Sequence, residues 1–144
     1  MSCGNTHGVD RSPYKTPSEE DIQYKKKVKD LGVVTSDNLS FREHIESIVT
    51  ACKIKQGIIL RKFRTRKEKP MMKLFNTYVH SKIDYCCIVW SPWCQSDIDK
   101  VERIQKSYTS KIEGLEEMNY HQRLKKLELY SLERRRERFM IINA

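Results

Sequence analysis

Apolar residues recur at helical spacing through most of this chain and at strand-like spacing only near its start. Residues 1–20 set Gly4, Gly8, Pro13 and Pro17 among small polar side chains, which predicts a disordered tail rather than an element. From Ile22 to Thr35 the texture changes: Tyr24, Val28, Leu31, Val33 and Val34 alternate irregularly with lysines, and Gly32 interrupts them. Short strands fit that pattern better than a helix, with Ser36-Asp37-Asn38 as the closing turn.

Beyond it the period changes to that of a helix. Ser40 and Glu43 have capping-box spacing, and Phe41, Ile45, Ile48, Val49, Cys52, Ile59, Leu60 and Phe63 follow as one apolar stripe. Gly57 is the weak point of that helix and invites close packing. Pro70 suits a first helical turn, and Met71, Leu74, Phe75, Tyr78 and Val79 carry the period on toward Tyr85, until Ser91-Pro92 breaks it. Ser96 is placed to cap the next helix, whose stripe is Ile98, Val101, Ile104, Gln105, Tyr108 and Ile112, ending at Gly114. Asn119 with Gln122 opens a short helix holding Leu124 and Leu127, and Ser131 opens a last one with Leu132, Phe139 and Ile142 on one side. The expected fold is mainly α: a short β-hairpin region over residues 21–38, then a small bundle of about five helices over residues 39–144.

Composition sharpens this. At 38% apolar and 33% charged, the 144-residue chain suits amphipathic helices around one modest core. Its net charge of +9 favours polyanionic partners, since basic side chains displace condensed counterions from phosphates; solvated helix faces are the bland alternative. The five cysteines, an odd number without an export signal, read as reduced thiols. Nothing approaches a membrane span, and the expected location is nuclear or cytoplasmic, neither secreted nor membrane-bound.

Several short motifs occur in a telling order. Lys29-Asp30-Leu31-Gly32-Val33 is followed by Leu39-Ser40-Phe41 with His44-Ile45, then by Arg61-Lys62-Phe63-Arg64 with Arg66. Further on come Tyr85-Cys86, Trp90-Ser91-Pro92 and Asp97-Ile98, then Tyr120, Arg123-Leu124, Leu127 and Leu132-Glu133-Arg134-Arg135. Taken together, from about Ile22 to the end, this resembles the region beyond the catalytic palm in jockey-like non-LTR retrotransposon (LINE) reverse transcriptases. The resemblance implies a primer-grip hairpin around Leu31 and Gly32, a helical thumb after it, and structural roles for Tyr85, Trp90 and Pro92. It does not extend to catalysis. An RNA-directed DNA polymerase holds two metals on palm carboxylates, there is no Tyr-x-Asp-Asp sequence, and Glu19-Glu20-Asp21 lacks the apolar strand context of a metal site. The chain is expected to be no enzyme on its own and to need no cofactor.

The resemblance implies grip on nucleic acid, because a thumb holds primer–template by phosphate and sugar contacts that do not read sequence. The residues for that role are Lys53, Lys55, Arg61, Lys62, Arg64, Arg66, Lys67 and Lys69, eight cations against the single acid Glu68. Lys25, Lys26, Lys27 and Lys29 form a second cluster, and Arg134, Arg135, Arg136 and Arg138 a third that Glu133 and Glu137 largely offset. The Arg61–Lys69 run also fits a nuclear import signal. Phe63 falls on the apolar stripe, so core packing is favoured over base stacking. His80, Cys86, Cys87 and Cys94 invite a zinc site, but their spacing fits no closed pattern, and buried thiols near Trp90 are the preferred reading. His44 and Cys52 stand too far apart on one helix for a nucleophile pair. The leading function is sequence-tolerant binding of an RNA–DNA hybrid, a duplex or RNA. The alternatives are a helical module that takes a protein partner on exposed apolar faces, or a mobile-element remnant without function.

Overall fold

The computed structural model describes residues 25–143. The expected tail over residues 1–20, Cys3, the acids Glu19, Glu20 and Asp21, and the start of the strand region at Ile22 and Tyr24 lie outside the described residues. The architecture is mainly α, a two-stranded antiparallel hairpin followed by a small helical bundle.

Strands β1 (Lys27–Asp30) and β2 (Val33–Ser36) pair with Lys27 opposite Ser36 and Asp30 opposite Val33. Only Leu31 and Gly32 connect them, at φ 46° and 84°, the left-handed pair that matches strand twist in a two-residue hairpin. Glycine adopts this freely, whereas a β-carbon makes it cost about 1–2 kcal/mol at Leu31. The Tyr85 hydroxyl holds the tip by donating to the Leu31 carbonyl at 2.8 Å.

Helix α1 (Arg42–Lys62) buries His44, Ile45, Ile48, Val49, Cys52, Gln56 and Ile59 along one side. The expected capping box at its start does not form. Phe41 is the N-cap residue, and Ser40 is instead tied into the preceding turn, its N–H donating to Asn38 Oδ1 and its carbonyl accepting from Ser36 Oγ. Glu43 turns to Lys27 at 2.7 Å and so joins α1 to the hairpin. Gly57 makes no close approach: a β-carbon there would meet only the end of Arg61, at 3.8 Å.

Helix α2 (Glu68–Phe75), with Pro70 in its first turn, runs without a break through a π-helical turn (Asn76–His80) into α3 (Ser81–Asp84). The chain breaks earlier than Ser91-Pro92: Tyr85 is extended and Cys86 left-handed at φ 50°, leaving α4 (Cys87–Trp90) as a separate turn. Helix α5 (Gln95–Thr109) begins after Cys94, not Ser96, with no side-chain cap. Its stripe continues past the helix end through Ile112 to Gly114, which is left-handed as expected. Helix α6 (Tyr120–Lys126) has the full capping box of Asn119 and Gln122, and α7 (Leu132–Ile142) is capped by Ser131, which accepts from the Arg134 N–H. Leu132 is buried and Phe139 packs on the core, but Ile142 is exposed.

Hairpin and helices share one core. Trp90, Tyr108, Phe75, Met71, Ile83 and Ile104 are all fully buried, Phe75 stacks on Tyr108 at 4.6 Å, and Val33 of β2 joins the same cluster. No helix of the described residues is long and apolar enough to cross a membrane.

Candidate nucleic-acid interface

The end of α1 and the linker to α2 carry the principal basic run. Arg61, Lys62, Arg64, Lys67 and Lys69 are exposed and form no ion pair among the described residues. Arg61 lies back along its own helix, donating to the Gly57 carbonyl at 3.2 Å, and Lys53 is exposed further up α1. Two members of the run face inward instead. Arg66 donates to the Leu60 carbonyl at 2.7 Å, and its own carbonyl accepts from the Glu113 N–H, so it closes the linker over the end of α1. Lys55 donates to the Tyr78 carbonyl at 3.0 Å, tying α1 to the π-helical turn. Helix periodicity alone does not separate these two from their neighbours.

The second cluster, Lys25, Lys26, Lys27 and Lys29, is exposed at and before β1, and Lys27 is the member held by Glu43. At the tip of the same hairpin the residues of the motif series come together. Tyr85 reaches Leu31 with its hydroxyl and lies 3.8 Å from where a Gly32 β-carbon would be, and its carbonyl accepts from the Trp90 indole N–H at 2.9 Å. Trp90 in turn takes the His44 ring edge-on, at 5.8 Å between centroids. Pro92 follows beside Trp90 in a shallow groove that also includes Leu39, Phe41 and Trp93. Three segments, residues 31–32, 39–44 and 85–93, thus meet around Tyr85 and Trp90.

The third cluster is open only in part: Arg134 and Arg138 are exposed, and the other two are not. Arg135 clamps Asp84 through two nitrogens, at 2.8 and 3.2 Å, Arg136 is buried, and the Arg138 guanidinium lies over Tyr130 at 4.8 Å. Beside them runs a polar seam that periodicity marks only by placing Gln105 on an apolar stripe. Gln105 is fully buried; its amide donates to the Tyr130 carbonyl at 2.9 Å and to the Tyr120 hydroxyl at 3.2 Å, while its carbonyl oxygen faces His80 Nε2 at 3.0 Å. Glu102 accepts from the Tyr120 hydroxyl and from the N–H groups of Leu132 and Glu133, capping α7 with negative charge. Burial, reinforced by the Glu102 carboxylate, pushes the Tyr120 phenol well above its usual range. Burial also lowers the pKa of His80, despite the hydrogen bond to the Gln105 carbonyl oxygen.

His80, Cys86, Cys87 and Cys94 do not converge, and no cluster of three His, Cys, Asp or Glu able to hold a metal occurs among the described residues. Cys52 and Cys87 are buried, and burial raises both thiols, Cys52 to about 11. Cys94, expected among the buried thiols near Trp90, is exposed at the start of α5, because that helix begins one residue after it. Phe63 also departs from expectation: α1 ends before it, and its extended backbone turns the ring outward, 43% exposed.

An 86-residue stretch, 60% of this chain, is 31% identical to a Caenorhabditis elegans protein whose name calls it uncharacterized. The chain spans less than half of that relative, 43% of its length. No family model and no solved structure matches the chain.

Proposed function

We propose that this chain is a thumb-like piece of a retrotransposon-type reverse transcriptase, without the palm, that grips RNA–DNA hybrid, duplex or RNA by its phosphates. The observation that carries the reading is the group Arg61, Lys62, Arg64, Lys67 and Lys69, exposed together and free of carboxylate partners among the described residues. Folded proteins ordinarily intersperse both signs on a surface, and an unneutralised run of one sign is what a polyanion fills. The left-handed tip at Leu31, held by Tyr85, supports the primer-grip part of the reading: strain of this kind clusters where a loop must keep one shape. The role asks for position and charge and for no chemistry of the chain's own.

The test is fluorescence anisotropy with a labelled RNA–DNA hybrid across a salt titration. The variant replaces Arg61, Lys62, Arg64, Lys67 and Lys69 with alanine and keeps Arg66, which holds the linker in place. The parent is expected to lose affinity linearly in log salt, and each phosphate contact removed should flatten the slope by about 0.9. Equal slopes for parent and variant, or no binding by folded protein at low salt, would overturn the reading.

A further inference from the structure

A groove of about 300 Å³ runs between the second half of α1 and the π-helical turn, lined by Lys55, Ile58, Ile59, Phe63 and Tyr78. Its rim is unusually apolar for exposed surface: Ile58 is 46% exposed, Phe63 43% and Tyr78 51%, and Ile54, one turn before Ile58, is 57% exposed. Ile54 and Ile58 follow at the i, i+4 spacing that aligns side chains on one helix face. Arg61 and Lys62 lie within the same third of the helix circumference, at 100° per residue. From Thr50 to Thr65 there is no acidic residue. The groove is thus an apolar slot whose α1 wall carries cations and no acid.

We infer that this groove docks an amphipathic helix of a partner protein, one with an apolar row at i, i+4 and i+7 and acidic residues on either side of it. Helix-in-groove recognition needs such a slot between two fixed walls, and here the Lys55 ammonium bridge to the Tyr78 carbonyl fixes the separation. Charge complementarity selects the partner: carboxylates flanking the apolar row meet Arg61 and Lys62. A second copy of this chain is disfavoured by the same argument, since each carries +9. A base could stack on Phe63 or Tyr78, but Ile58 and Ile59 fill the rest of the lining with aliphatic surface, and the one cation lining the slot is already committed to a carbonyl, which suits an apolar helix row better. The apolar slot does not depend on the nucleic-acid grip proposed for the open cations, although the two share Arg61 and Lys62 and a bound hybrid would compete with the helix there.

The probe is a fluorescein-labelled helical peptide with leucines at i, i+4 and i+7 and glutamates on both flanks, set against a scrambled isomer of equal charge, with the full chain as receptor. The ordered peptide should bind at least about tenfold more tightly than the scrambled one, the effect of seating one large apolar side chain. That preference should persist at about 1 M salt, where the Debye length is roughly 3 Å. Ile58→Gln should remove it while leaving the circular-dichroism melt unchanged, since Ile58 is half exposed. Equal binding of the two peptides, binding that Ile58→Gln does not weaken, or no binding of either would overturn the inference. So would loss of RNA–DNA hybrid binding in Ile58→Gln, which would give the groove to nucleic acid.

Discussion

The arginines of α7 and the cations at and just beyond the end of α1 carry the same charge in opposite surroundings. Arg135 is clamped by Asp84, and Arg136 is buried where Glu102 and Glu133 oppose the cost of its desolvation. Arg61, Lys62, Arg64, Lys67 and Lys69 stand in water with no carboxylate on them among the described residues. Residue counting finds both basic and sets them apart only by Glu133 and Glu137, which offset the α7 set. What separates them is where α3 and α5 deliver Asp84 and Glu102, each more than thirty residues from the arginines it serves or on a helix that must first pack. Charge that folding neutralises is structural, and charge that folding leaves open is available to a ligand.

The comparison breaks most decisively at Gln105, the hub of the inward region. Gln105→Leu keeps the volume but leaves the Tyr130 carbonyl and His80 Nε2 without their partners inside the core. Each buried group left unsatisfied costs about 1–3 kcal/mol, so a loss of roughly 2–5 kcal/mol is expected in urea denaturation. A loss under about 1 kcal/mol would mean that the seam is not what holds α5, α6 and α7 together. The same experiment on any single open cation should move stability by no more than about 0.5 kcal/mol.

How much of this was legible depends on how local the determinant is. Asn119 with Gln122 and Ser131 before Arg134 cap their helices as their spacing suggests, because each cap needs only neighbours along the chain. Ser40 and Glu43 have the same spacing and fail, since Ser36, Asn38 and Lys27 compete for them from a hairpin whose docking periodicity does not reveal. The π-helical turn leaves the apolar period almost intact and so is invisible to it. Of the candidate interface, the run of cations is plain in the sequence. That Lys55 and Arg66 reach carbonyls of other segments, Arg61 only one of its own helix, and Lys62, Arg64, Lys67 and Lys69 none, follows from where the α1 end, the linker and Tyr78 meet in space.

A second measurement sharpens the inward side. His80 sits in the seam facing Gln105, with Arg135 and Asp84 near, and burial sets its pKa below the ordinary 6.5. The unfolded chain therefore takes up this proton at higher pH than the folded one. His80's contribution to stability is complete above about pH 6.5 and is lost as pH falls from there toward the folded value, at no more than about 1.4 kcal/mol per pH unit. His44, lowered by burial and by Lys82, acts in the same direction. An NMR titration of the ring protons should place the His80 midpoint below 6.5. A midpoint at or above 6.5 would show water reaching the seam and would remove the contrast with the open cations.

The smallest effect carries the clearest message about the outward side. In the five-alanine variant, Arg61 and Lys62 sit in the last turn of α1 and favour its negative end by a few tenths of a kcal/mol each, whereas Lys67 and Lys69 stand at the positive end of α2 and do not. Against that loss, removing five charges from a chain of net +9 relieves self-repulsion. The two effects oppose, and the net change in unfolding free energy should stay within about 1 kcal/mol of zero, with the better stability at low salt, where repulsion is least screened. A large loss of stability would place these residues with Arg135 and Arg136 as structural charges, and the cations would then no longer be free for phosphates. A near-zero change, together with a flattened salt slope for hybrid binding, separates the two roles in one molecule: a cluster that the fold does not need and a polyanion does.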